Sequence, residues 1–192
     1  FALYTQVKQA FAARHAARFG EGGPVENHLA FMQRLTEWFE RQDPQSWSST
    51  PTYDYAGPPI RQHVFLPGYL RSGVTLVESI LASLDDTRVL EEGSTLVAGD
   101  ALFLKNSESL ARLNPLDPRL ASQARDAYWR RVREAVPDVE GKVFVDMSPL
   151  YGIKLPMIAR LFPQARIVFC RRDPRDVVLS CYRRNFVANA LT

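Results

Sequence analysis

Apolar positions along this chain change their period near residue 60. Before it they recur at helical spacing: Leu3, Val7, Ala10 and Phe11 within the alanine-rich run Phe1–Phe19, then Phe31, Leu35 and Trp38 within Glu26–Arg41. Gly20-Glu21-Gly22-Gly23-Pro24 breaks the two apart. Asp43–Pro59, rich in Pro, Ser, Thr and Tyr, reads as an irregular connector. From Ile60 onward, short β-prone runs alternate with helical patterns. Strands are predicted at His63–Leu66, Arg88–Leu90, Val143–Val145 and Arg166–Cys170, and helices at Val74–Leu84, Ser94–Lys105, Arg119–Ala135, Pro156–Leu161 and Pro174–Phe186. This alternation predicts an α/β fold, a parallel sheet with flanking helices preceded by short N-terminal helices. The organisation follows as a helical segment over 1–45, a connector over 46–59 and an α/β region over 60–192. In such sheets ligands bind beyond the carboxyl ends of the strands.

Two strand ends carry chemistry. The first reads Val64-Phe65-Leu66-Pro67-Gly68-Tyr69-Leu70-Arg71-Ser72-Gly73-Val74-Thr75. An apolar run enters a loop bounded by Gly68 and Gly73, and an amphipathic stretch with Leu76, Val77, Ile80, Leu81 and Leu84 follows. This strand–loop–helix layout cradles phosphate on backbone N–H groups at a helix N-terminus. The glycine spacing matches the P-loop pattern G-x-x-x-x-G-K-[ST], but Val74 stands in the lysine position and the basic group lies inside the loop at Arg71. A phosphate-bearing ligand fits this loop better than hydrolysis of ATP or GTP.

The second strand end runs through Cys170-Arg171-Arg172-Asp173-Pro174-Arg175-Asp176 to Ser180. A buried strand would deliver two arginines, with Asp173 as N-cap and Pro174 at the first helical position. Ser180 falls about two turns into that helix by its 3.6-residue period. Guanidinium groups bind phosphate in a bidentate manner. Arg171, Arg172, Arg175, Arg183 and Arg184 together form either a solvated basic face or an anion pocket.

Composition bounds the rest. The net charge of +3 over 192 residues is too small to imply nucleic acid. Cys170 and Cys181 lack C-x-x-C spacing, which points to buried thiols in a reduced, cytoplasmic compartment. His15, His28 and His63 are scattered and predict no metal site. No run has the length of a membrane span, and no signal peptide is visible. The chain starts at Phe1 already in helical pattern and stops at Thr192, as a cut through a longer protein would.

These residues bring out a resemblance. The stretch from Val64 to Phe186 resembles the PAPS-dependent sulfotransferases, which use 3′-phosphoadenosine-5′-phosphosulfate as sulfuryl donor, and most of all the bacterial group with tetratricopeptide repeats ahead of the catalytic domain. Gly68-Tyr69-Leu70-Arg71-Ser72-Gly73-Val74-Thr75 is similar to that group's 5′-phosphosulfate loop, and Arg172-Asp173-Pro174-Arg175-Asp176-Val177-Val178-Leu179-Ser180 to its 3′-phosphate motif. Lys154–Pro163 is similar to the helix before its last strand. Phe1–Phe39 resembles the end of a repeat array, which implies a protein partner for the N-terminal helices.

The resemblance implies a metal-free transfer to a hydroxyl or amine acceptor of unknown class. Arg71 would neutralise charge on the leaving phosphate. The N–H groups of Ser72, Gly73, Val74 and Thr75 would hold the 5′-phosphate, with the Thr75 hydroxyl adding a contact, and Arg172 and Ser180 would hold the 3′-phosphate. The base would be acidic and follow the second strand, where Glu92 aligns best. Glu91 is its alternative, because strand side chains alternate and only one can enter the cleft. Two solvated carboxylates opening a helix are the plainer reading of this pair. Asp146 at a strand end would orient Arg71 or Arg172, or cap a helix.

Three positions depart from the family pattern. Val74 replaces a hydroxyl residue, Leu70 a loop proline, and Met147 a lysine expected in Val145-Asp146-Met147-Ser148-Pro149. Two other readings therefore stand beside the sulfotransferase. A P-loop nucleotide or metabolite kinase has against it the missing lysine and the lack of an acidic magnesium site. A non-catalytic interaction module has in its favour the losses at Val74 and Met147.

Overall fold

The computed structural model describes residues 2–19, 26, 28–47 and 57–184. The glycine-rich break at 20–24, the connector over 48–56 and the expected helix end at Phe186 lie outside the described residues. The chain divides into two compact units, Asp43–Arg172 and a smaller one formed by Phe1–Gln42 with Asp173–Thr192.

The smaller unit contains α1 (Ala2–Phe19), α2 (His28–Glu40) and α8 (Pro174–Tyr182). Thr5 of α1 meets the Tyr182 hydroxyl, and the Lys8 ammonium donates to the Arg184 carbonyl at 2.6 Å. Asp173 caps α8 as expected, its carboxylate accepting from the Arg175 N–H at 2.9 Å, with Pro174 in the first turn.

The larger unit is built on β1 (Gln62–Leu66), β2 (Thr87–Glu91), β3 (Val143–Met147) and β4 (Arg166–Ile167), in the order β2-β3-β1-β4 with every pairing parallel. Its helices are α3 (Val74–Ala82), α4 (Val97–Gly99), α5 (Ser107–Ala111), α6 (Pro118–Ala135) and α7 (Leu155–Leu161). The α/β fold expected from the alternation is present.

β1 shows why the sheet needs two covers. His63, Val64, Phe65 and Leu66 are all buried, and successive side chains point to opposite faces. Val64 and Leu66 join Val74, Val145 and Met147 in an apolar cluster, with Val77 and Leu81 of α3 packed against it. Phe65 and His63 meet Tyr128 and Trp129 of α6 and Phe162 beyond α7, with ring centroids 4.4–5.9 Å apart for the His63–Phe65 and Phe65–Tyr128 pairs. Full burial of each large side chain contributes roughly 1.5–3 kcal/mol, so these two layers set the register of the strand whose end forms the site.

Two expectations are corrected. β4 is not a buried strand: Arg166 and Ile167 are exposed, and among the described residues β4 has a strand on one side only. Its track along β1 nevertheless continues, with the Val168 N–H donating to Phe65 O at 3.0 Å and the Cys170 N–H to Pro67 O at 2.9 Å. The helix expected over Ser94–Lys105 begins at Val97 and widens into a π turn over Asp100–Leu104. Ser94 has a left-handed φ of 49° and cannot open a helix, and the Thr95 side chain is bonded to Asp146.

His63 is buried with Nε2 2.7 Å from the Tyr128 hydroxyl, and burial lowers its pKa to about 3. A depressed imidazole stays neutral in the fold while the unfolded chain takes up a proton. Stability therefore falls as pH drops from 6.5 toward about 3, by up to about 1.4 kcal/mol per pH unit. The urea midpoint of wild type relative to His63→Leu is expected to fall as pH drops through that range. An unchanged profile would contradict a buried neutral imidazole.

Candidate active site

β1 ends where Pro67 removes a backbone donor, and the chain turns through 67–73 into α3. The Ser72 N–H donates to Tyr69 O at 3.0 Å, and the Tyr69 N–H donates to the Ser72 hydroxyl at 3.1 Å. Ser72 thus ties the loop together from inside, and it is buried. Gly68 leaves necessary room, since a Cβ there would stand 2.5 Å from Val74 Cγ2 and 2.6 Å from Ser72 Oγ.

Arg71 occupies the third position of this turn with φ 67°, a place glycine usually fills. Holding a non-glycine residue there costs about 1–2 kcal/mol. Gly73, at φ 97°, precedes α3 and provides no side-chain cap. The first N–H groups of a helix have no intrahelical partner, so the start of α3 at Val74 and Thr75 presents donors to an anion.

A second cation arrives from β4. Because β4 follows β1 as far as Pro67, the next residues emerge beside the loop. The Arg172 guanidinium donates to the Arg71 carbonyl at 3.2 Å, and both arginine side chains are exposed. The segment after β3 closes in as well: a Cβ on Gly152 would stand 3.2 Å from Gly68 O. Three strand ends therefore converge on one turn.

The acidic pair lies after β2. Glu91 ends that strand opposite Met147, and the Glu92 N–H donates to Met147 O at 2.8 Å. Both carboxylates are exposed. Glu92 has φ 47° and Ser94 φ 49°, and the Ser94 carbonyl accepts from Arg131 at 3.2 Å. Among the described residues, Arg71, Glu92 and Ser94 are the non-glycine positions with left-handed backbone. Such strain persists only where the surroundings impose it, and it concentrates at functional sites.

Other expected residues sit elsewhere. The Val74 side chain lies in the apolar cluster under α3, so that position offers an anion its N–H alone. Met147 is fully buried in the same cluster and fills apolar space where a lysine was expected. Ser180 is half-buried on α8, in the other unit.

Asp146 does not orient either arginine. Val145 and Met147 face α3, so the pleat turns Asp146 to the opposite face, where its carboxyl oxygens lie 2.6 Å from the Thr95 hydroxyl and 3.1 Å from the Tyr151 hydroxyl. Sequence reasoning missed Thr95 and Tyr151; a carboxylate within an apolar strand was the signal that buried partners must exist. Nearby, Lys154 donates to Asp100 at 2.6 Å; burial raises the Asp100 pKa, and the lysine opposes that rise. Among the described residues, no group of His, Cys, Asp and Glu could hold a metal ion, and no helix is long and apolar enough to cross a membrane.

Comparison with known proteins agrees with this geometry. A model of the sulfotransferase family matches residues 63–191. A protein of Aquifex aeolicus (strain VF5), described as uncharacterized, is 28% identical over 148 residues, which cover 69% of this chain and 18% of the relative. The matched span holds the Gly68–Gly73 loop, both acidic residues and Arg172, and the chain belongs to the sulfotransferase family.

Proposed function

We propose that the protein transfers a sulfuryl group from PAPS to a hydroxyl or amine acceptor. Arg71, Ser72, Gly73, Val74 and Thr75 receive phosphate through the loop and the start of α3, Arg172 adds a second cation, and Glu92 takes the acceptor's proton. The bond from Arg172 to the Arg71 carbonyl supports this most strongly, because it holds a guanidinium on the turn that leads into an uncapped helix start. That donor set suits a ligand carrying more than one phosphate. PAPS supplies the sulfuryl group; the chain's part is to bind, orient and deprotonate. Preorganised donors of this kind are each worth about 3–4 kcal/mol in the transition state.

The kinase reading loses support from Val74, whose side chain occupies core where a P-loop would extend a lysine. A non-catalytic scaffold leaves the strained backbone at Arg71 and Glu92 without a reason. Within this proposal the N-terminal helices end a repeat array that meets a protein partner, and the enzyme works in the cytoplasm. The chain spans 18% of the Aquifex relative, so the activity of a longer protein of that kind belongs to the same proposal.

Calorimetric titration is expected to show that PAP, the desulfated donor, binds more tightly than ATP. Arg172→Ala should weaken PAP by about tenfold or more, as loss of a charge-assisted contact does. Equal affinity for PAP and ATP, or no effect of the substitution, would reject the donor assignment. Glu92→Ala should lower turnover by about 10²–10⁴-fold while leaving PAP affinity unchanged. Full turnover in that variant would remove Glu92 as the base.

A further inference from the structure

β3 carries a carboxyl that the proposed reaction leaves unused. Asp146 is completely buried. Its Oδ2 lies 2.6 Å from Thr95 Oγ1, its Oδ1 lies 3.1 Å from the Tyr151 hydroxyl, and those two hydroxyls are 2.8 Å apart. The three contacts form a closed ring, but two hydroxyls supply only two protons. One more proton, on the carboxyl, completes it: Oδ2–H donates to Thr95, Thr95 donates to Tyr151, and Tyr151 donates back to Oδ1. Tyr128 and His63 extend the chain by two contacts, carboxyl to Tyr128 hydroxyl and hydroxyl to His63 Nε2, and by two protons with the imidazole protonated at Nε2, which leaves the deficit unchanged.

The ring joins two of the loops that build the site. Thr95 directly follows the strained Glu92–Ser94 turn, whose Glu92 N–H is bonded to Met147 O, the residue after Asp146. Tyr151 belongs to the 3₁₀ turn Pro149–Lys154, which also carries Gly152 against the phosphate loop. We propose that Asp146 is a positioning residue, a neutral acid whose ring with Thr95 and Tyr151 fixes the loop carrying Glu92. Its catalytic consequence rests on Glu92 being the base; the ring itself does not.

The surroundings shift the balance toward the neutral form, which predominates below about pH 6. Burial pushes the carboxyl up to about 6, against bonds from Thr95, Tyr128 and Tyr151 and the charge of Lys154. Lys154 is paired with Asp100, and His63, beyond Tyr128, is itself neutral. A carboxyl raised above its unfolded value stabilises the fold when protonated. That contribution is complete below 3.8 and is lost as pH rises through about 6. His63 acts in the opposite direction over an overlapping range, so the difference between wild type and a variant at 146 isolates the ring.

Asp146→Asn preserves the ring, since its amide donates to Thr95 and its carbonyl accepts from Tyr151. Asp146→Ala opens it. Urea unfolding at about pH 5 and about pH 8 should find the advantage of the Asn variant over wild type larger at the higher pH. Hydrogen exchange should find the 92–97 amides protected in the Asn variant and exposed in the Ala variant. Turnover should follow that protection, with PAP affinity constant. An Asn variant as damaged as the Ala variant at both pH values would show that the ionised carboxylate is required and overturn the proposal. Should the Ala variant fail to fold, the Asn comparison across pH still decides. Failure of PAP to bind any variant, wild type included, would sink the sulfotransferase reading without touching the unfolding and exchange results.

Discussion

Everything at the site depends on one constraint: β4 must run beside β1 far enough to bring Arg172 onto the turn that holds Arg71. The hydrogen bond between them is modest, roughly 1.5–3 kcal/mol for a charged donor. Its consequence is larger than its energy, because it holds the Arg172 guanidinium on the turn that carries Arg71. Residues far apart in sequence reach it through the parallel pairing of β4 with β1 and the two backbone bonds beyond β4. Those in turn depend on a β1 that is apolar on both faces and held in register by the layers under α3 and α6.

The site and the core share residues, which gives meaning to the departures from the family pattern. Val74 and Met147 look like losses when each position is assumed to touch ligand. In the fold both side chains pack in one cluster with Val64 and Leu66, so neither is left to meet an anion at the loop. Backbone donors survive side-chain change, which is why a loop can lose a hydroxyl and a lysine and still offer an anion a place. The cost appears instead as left-handed backbone at Arg71 and Glu92.

Much of this was legible in the sequence. The change from helical to strand period near residue 60, the Gly68–Gly73 bracket and the Asp173-Pro174 cap are local signals, and each element they marked is present within a few residues. What could not be read was anything set by the third dimension. The exposure of β4 depends on which strands flank it. The partners of Asp146 depend on the pleat of β3 and on two loops distant in sequence. The left-handed turn at Ser94 shortened a helix that Leu96, Phe103 and Leu104 otherwise suggested. Side-chain alternation at Glu91 and Glu92 also misses the point, since Glu92 has already left the strand and its direction is set by φ rather than by the pleat.

The start of α3 and Arg172 are the two halves of one proposed anion cradle. Backbone amide and guanidinium NMR shifts during PAP titration test it most directly. The largest changes should fall together on the amides of Gly73, Val74 and Thr75 and on the Arg172 side chain, saturating at one ligand concentration. Shifts concentrated on other surfaces, or loop and arginine responding at different concentrations, would contradict it.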